Sequence, residues 1–262
     1  MAEEKPVTLD ITKDIARVTF NKPEKHNAFD EEMLQEVTRI FNELKETKSV
    51  RAIILTGNGP SFSAGANLDW MKKVAGYTKE QNMEDAKRLA TMFYTIYSCP
   101  KPVVGRVNGT ALGGGAGLVA SCDIAVAAAD ALFGFPEAKL GIIPAVISPY
   151  VIEKIGMAHA RAMFITGERF SAQRAYEIGL VNQVVPKDEL DAAVGKVLKL
   201  IMGSGPKAAG ECKTLVKTVS GITKEDAINV TAEIISRLRA TDEGREGMEA
   251  FLQKRKPSWN RE

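Results

Sequence analysis

The stretch 110–123, "TALGGGAGLVASCD", places glycine at four of the five positions from Gly113 to Gly117. It follows the apolar run "PVVGRVNG" (102–109) and leads into another, "DIAVAAA" (123–129). An apolar run, then glycines, then small residues reads as strand, turn and helix. A bare backbone there lets a ligand approach the main chain, and the free N–H groups of a helix start favour negative charge. A second stretch has the same form: "VRAIILTG" (50–57) runs into "NGPSFSAGANL" (58–68).

Three uses compete for such loops. A dinucleotide fingerprint needs GxGxxG and an acidic residue about twenty positions on. Here the glycine order differs, and the acid at that distance, Glu137, follows a turn rather than a strand. A phosphate-cradling P-loop needs GK[ST], which is missing. An oxyanion hole needs one N–H from each loop. On the glycines alone, close packing against a neighbouring strand is an equal reading.

Outward from the loops, "VTLDITKDIARVTF" (7–20) alternates about Lys13-Asp14 and predicts a β-hairpin. "NKPEKHNAF" (21–29) reads as a polar loop. Asp30 begins a helix whose apolar stripe is Met33, Leu34, Val37, Ile40, Phe41 and Leu44. A second helix, Glu80 to Ser98, uses Met83, Leu89, Phe93, Ile96 and Tyr97. Strands alternating with helices imply crossovers and a mostly parallel sheet. Beyond Pro149 helical patterns dominate, interrupted by "GLVNQVVP" (179–186). Their apolar faces exceed what one sheet covers, so packing surface is expected, with oligomerisation as a second use.

Composition narrows the function classes. The 262 residues are 45% hydrophobic, and 35 basic against 33 acidic residues give a net charge of +2. That is no broad field for nucleic acid or a membrane surface. Cys99, Cys122 and Cys212 lack CxxC spacing, and the start "MAEEKPVTLD" has no apolar leader. Reduced thiols and a cytoplasmic location are expected. No apolar run reaches about 18 residues, the length of a membrane span. His26 and His159 are too far apart in sequence to suggest a zinc site.

"NKPEKHNAF", "SFSAGANL", "NGTALGGGAGLVASCDIAVAAADALFGFPEAKLGIIP", "GLVNQVV" and "AFLQKRKP" occur in the order and spacing of the crotonase, or enoyl-CoA hydratase/isomerase, superfamily. The resemblance covers nearly the whole chain. "SAGANLDWM" and "EAKLGIIPAVISPYV" are similar to a bacterial branch of methylglutaconyl-CoA hydratases. The resemblance implies an α/β fold, the ClpP/crotonase-like spiral of ββα units. Residues 1–200 would form its core, and 201–262 a helical region for trimerisation and coenzyme A contact. It further implies a homotrimer or a hexamer made of two trimers. The substrate would be an acyl-CoA, with no metal or redox cofactor.

The same resemblance assigns the site. The N–H groups of Ala66 and Gly114 would hold the thioester oxygen, and a Cβ at Gly114 would crowd that thioester. Lys25, His26 and Ala28 match the segment beside adenine and pantetheine. Ala64, Asn67, Leu68, Gly113 and Pro136 match further positions along the acyl-CoA path. Phe251 and Lys254 match contacts to the adenosine phosphate region. Trp70, Met71 and the "AVISPYV" segment would line the acyl pocket.

Hydration in this family uses two carboxyl groups, one to activate water and one to protonate Cα. The first is replaced here by Gly117; the second is present as Glu137. Gly117 is therefore expected to leave space, open to a bulkier or acidic acyl branch. Asn67 stands where an acid is usual and would position rather than titrate. Asp69 reads as a surface residue at a helix start. Ala145 replaces the aspartate of some dienoyl isomerases and aryl-CoA dehalogenases, which weighs against those activities. Two enzymes remain: a one-carboxylate hydratase, and a Δ3,Δ2-enoyl-CoA isomerase with Glu137 as its single base. A third reading is a catalytically weak acyl-CoA-binding or RNA-binding relative. For RNA the signal is "KRKPSWNR" (254–261), where a coenzyme phosphate contact already accounts for Lys254.

Overall fold

The hairpin forms as its alternation predicts. β1 (Val7–Thr12) and β2 (Ile15–Phe20) pair antiparallel, with Val7 opposite Phe20 and Thr12 opposite Ile15. The structure is a computed structural model that describes residues 5–260. Residues 1–4, the start of the stretch read for a leader, and 261–262, which include the last residue of "KRKPSWNR", lie outside it.

β2 continues in parallel into β3 (Ala52–Gly57), β5 (Val103–Val107), β7 (Ile124–Ala128) and β10 (Gln183–Val185), giving a six-stranded sheet. A second sheet is built from three-residue strands: β4 (Ser61–Ser63), β6 (Thr110–Leu112), β8 (Leu132–Gly134) and β9 (Arg169–Ser171). The chain crosses from the first sheet to the second three times: β3 to β4, β5 to β6 and β7 to β8. A helix follows each crossing. α2 (Leu68–Ala75) and α3 (Lys79–Tyr97) come after the first, α4 (Gly114–Ser121) after the second, and α5 (Ser148–Thr166) after the third. This is the spiral of ββα units that the sequence implies. The crossings are tight enough to require glycine. A Cβ on Gly57 would lie 2.5 Å from the Phe62 carbonyl oxygen, and one on Gly109 would strike that of Pro60.

α1 (Glu31–Glu46) buries all six residues of its expected stripe. Asp30 caps it, accepting the Met33 N–H at 3.1 Å, a contact worth about 1 kcal/mol. α3 departs from expectation in its first turns, which lie in solvent and leave Met83 exposed. Its buried face begins later and consists of Asp85, Met92, Phe93 and Ile96.

Alternation across the large sheet feeds two cores. Ile53, Leu55, Val103 and Val107 face the main cluster, shared with α1, α3, α4 and α5. Ala52, Ile54, Val104 and Val126 face a second cluster closed by Leu190, Val194 and Leu198 of α7 (Leu190–Gly203). α6 (Ala172–Glu177) links β9 to β10. α7 runs across residue 200, where the core was expected to end. Beyond it, α8 (Pro206–Ser220) and α9 (Lys224–Arg239) bury no side chain, and α10 (Asp242–Leu252) buries Ala250. Val216, Ile228, Met248, Phe251 and Leu252 on these helices stay exposed. Among the described residues, no helix is long and apolar enough to cross a membrane.

Candidate active site

The spiral brings the two glycine loops side by side. The first loop is pinned by Phe29. The Phe29 N–H donates to the Gly65 carbonyl at 2.8 Å, and its own carbonyl accepts from the Asn67 N–H at 2.9 Å. This is a single parallel bridge opposite Ala66. Its two bonds go to the neighbours of Ala66, so the Ala66 N–H points away from Phe29. Among the described residues that N–H takes no partner.

In the second loop, Gly113 has φ +52°, a backbone that L side chains rarely adopt, and precedes the first residue of α4, Gly114. The Gly114 N–H is one of the orphan donors of a helix start. The whole of α4 after it is buried. A Cβ built on Gly65 would lie 3.4 Å from Gly114 N and 2.7 Å from the Leu112 carbonyl oxygen. The two expected donors, Ala66 and Gly114, thus belong to touching loops.

Glu137 completes the cluster. It lies on a 3₁₀ turn, Pro136–Leu140, directly after β8. Its Oε1 is 3.0 Å from where a Cβ on Gly113 would sit. Its Oε2 is buried and has no hydrogen-bond partner among the described residues. Burial pushes the carboxyl above its usual range, partly offset by a backbone hydrogen bond at Glu137 itself. An unpartnered carboxylate in a dry place costs stability unless something else uses it.

Gly114 has a packing reason to be glycine: a Cβ there would strike Phe29, with Cε1 at 3.0 Å and Cε2 at 3.2 Å. The expectation about Gly117 needs correction, because Gly117 does not open a cavity. A Cβ on it would meet Ile147 Cγ2 and Cβ, the latter at 2.8 Å, and Phe93 Cε1 at 3.2 Å. Ile147 and Phe93 are themselves buried, so an apolar wall fills the place where a first carboxylate would stand.

The other predicted residues divide by surroundings. His26 has φ +52°; its Nδ1 is 2.9 Å from Ser61 Oγ, and its carbonyl accepts from the Ala64 N–H. These contacts brace the loop. Lys25 is exposed beside it, and Ala28 is buried. Asn67 is buried and caps α2 through the Asp69 N–H at 2.8 Å. Asp69 is exposed and pairs with Lys72, as expected of a helix-start residue. Leu68 is exposed, and Met71 is half-buried. Trp70 packs inside the core against Phe29, ring centroids 6.2 Å apart, and donates its Nε1–H to Asp85 at 3.3 Å. Phe251 and Lys254 stand exposed at the end of α10, which packs on α9.

Sequence reasoning missed Asn27, Phe29 and Phe93 as a wall residue; Ile147 lies in the "AVISPYV" segment expected at the acyl pocket, but its place against Gly117 was not foreseen. Asn27 is fully buried in the supposed polar loop. Its amide donates to the Asn58 and Ser61 carbonyls at 2.8 Å each, and its Oδ1 accepts the Lys22 N–H. The apolar pair Ala28-Phe29 that follows it was the available signal.

A family model described as enoyl-CoA hydratase/isomerase matches residues 10–262. The chain belongs to the enoyl-CoA hydratase/isomerase family. It is 32% identical to a short-chain-enoyl-CoA hydratase of Clostridium acetobutylicum, covering 95% of each chain. It is 31% identical to a crotonyl-CoA hydratase of Syntrophomonas wolfei, covering 97% of each. Among solved structures, an enoyl-CoA hydratase from Shewanella pealeana is similar with a TM-score of 0.94 at 37% identity, over 97% of this chain and 96% of that one.

Enzymes of the enoyl-CoA hydratase/isomerase family act on coenzyme A thioesters. In this chain Glu137 is a carboxylate next to the paired loops, and an apolar wall of Ile147 and Phe93 lies against Gly117.

Proposed function

We propose that this enzyme hydrates an α,β-unsaturated acyl-CoA with Glu137 as its single acid–base group. The observation that carries the reading is the buried, unpartnered Oε2 of Glu137 beside the Ala66 and Gly114 loops. Two N–H donors aimed at one oxygen stabilise an enolate more than a neutral thioester. Water would add its oxygen to Cβ and give a proton to Glu137, sending the π electrons onto the thioester oxygen. Glu137 would then return that proton to Cα as the enolate collapses. A carboxyl held above its usual pKa by burial suits both halves of that cycle.

A second reading is favoured by Ile147. Because its side chain takes the place of a water-activating carboxylate, Glu137 is left with a task that one base can do alone. It would carry a proton between Cα and Cγ of a Δ3-enoyl-CoA through the same enolate. The apolar wall of Ile147 and Phe93 also bears on the acyl group. The open space that supported a branched or glutaconyl-type substrate is filled, and an uncharged acyl chain fits that wall better.

For assembly, the exposed apolar residues of α8–α10 support a homotrimer, or a hexamer of two trimers, built through the 201–262 region. Incubation with several enoyl-CoA thioesters in heavy-oxygen water, read by mass spectrometry, tests the chemistry. One heavy oxygen in the product supports hydration. Double-bond movement without oxygen uptake supports isomerisation. Neither, in a folded enzyme, removes both.

A further inference from the structure

We infer that Phe29 is a positioning residue that sets the distance between the two oxyanion donors, through contacts with both loops. The inference rests on the assignment of Ala66 and Gly114 as those donors. The main chain of Phe29 grips the first loop on both sides of Ala66, through the Gly65 carbonyl and the Asn67 N–H. Its ring presses on the second loop at Gly114, where no Cβ would fit. One residue therefore holds Ala66 by its backbone and Gly114 by its side chain.

The ring has a firm backing. Phe29 is 2% exposed and meets Trp70 at 6.2 Å and Phe93 edge-on at 6.5 Å between centroids. Trp70 is in turn held by the buried Asp85 carboxylate, which Arg88 also engages at 3.3 Å. A ring packed at crystal-like density transmits displacement rather than absorbing it. Donors placed for a developing oxyanion lose their effect when displaced by about an ångström. The size of the side chain at position 29 thus sets the gap between the two N–H groups, with no contact to substrate required.

The test reads the bound thioester directly. A substrate analogue labelled with ¹³C at the thioester carbonyl is bound, and the carbonyl stretch is measured by difference infrared spectroscopy alongside kcat and KM. Phe29→Ala should lose most of the low-frequency shift and about 10²- to 10³-fold in kcat, the cost of one lost donor, with KM within about threefold. Phe29→Met, of similar reach, should recover most of both.

Should Phe29→Ala fail to fold, the opposite side of the same contact is tested. Gly114→Ala drives a methyl into the Phe29 ring and should cut kcat and the shift. Adding Phe29→Leu should restore part of each, a non-additive gain that independent sites do not give. A folded Phe29→Ala enzyme with unchanged shift and kcat would overturn the inference. So would a raised KM with the shift intact, or strict additivity in the Gly114 pair. Absence of any carbonyl shift in the parent enzyme would instead sink the oxyanion assignment.

Discussion

Ile147 stands so close to Gly117 that no Cβ fits between them: one built on the glycine would lie 2.8 Å from Ile147 Cβ and closer still to its Cγ2. Helix propensity favours Gly117→Ala by about 1 kcal/mol, whereas forcing a methyl into a packed wall costs about 1–3 kcal/mol. The wall should win. Urea unfolding should show Gly117→Ala destabilised in the parent and stabilised in an Ile147→Ala background. A stabilised Gly117→Ala single variant would mean that Ile147 yields without cost.

Glu137→Gln should cut turnover by about 10²-fold or more while coenzyme A binding is retained, measured by steady-state kinetics and calorimetry. It should also act oppositely on stability. The folded pKa of Glu137 is raised by burial, so its contribution is fully present below the unfolded pKa and is lost as pH rises through the folded one. Above the raised folded value the ionised carboxylate is a cost, and there the glutamine variant should melt higher than the parent. At acid pH, with both forms neutral, the difference should fade. Equal melting temperatures across that range would show that the carboxylate is solvated after all.

Much of the framework was legible because long periodic segments report their own burial. The α1 stripe from Met33 to Leu44, the hairpin about Lys13-Asp14 and the run into Gly57 all lie where their patterns place them. β4, β6, β8 and β9 were not legible. Three residues carry no period, and each is a strand because the spiral lays it beside another. The assignment of Ala66 and Gly114 as donors rests on motif resemblance; what surrounds them comes from distant positions. The ring that excludes a Cβ at Gly114 is Phe29, and the wall at Gly117 is Ile147. Neither neighbour follows from local pattern, so the reason for glycine at 117 was misread and the packing reason at 114 was missed.

Asn67 gives a cleaner division between positioning and proton transfer. It caps α2 through the Asp69 N–H, so Asn67→Ala should cost about 1 kcal/mol of unfolding free energy. Asn67→Asp keeps an acceptor at the cap and should retain most of that stability. The kcat–pH profile of Asn67→Ala should keep the shape of the parent's, because an amide does not titrate. A lost limb in that profile would place Asn67 on the proton path.

Lys254 is expected at the adenosine phosphate end of the substrate, and it stands exposed just after α10. Its N–H returns to the Phe251 carbonyl at 3.1 Å, and its φ of +54° turns the chain at the end of α10. The next residue, Arg255, is committed to Glu246 by two bonds of 2.8 Å each. A phosphate contact far from the reacting carbons binds substrate and transition state equally, so its loss raises KM and leaves kcat alone. Lys254→Ala should therefore raise KM about tenfold, the scale of one charge-assisted hydrogen bond at a wet surface. The control lies in the substrate. A thioester of dephospho-coenzyme A lacks the 3′-phosphate, and with it the parent and Lys254→Ala enzymes should have the same KM. If the difference persists with the dephospho substrate, Lys254 meets another part of the coenzyme. If kcat falls instead, the tail reaches the chemistry, and Phe251, 83% exposed three residues earlier, is the side chain to change next.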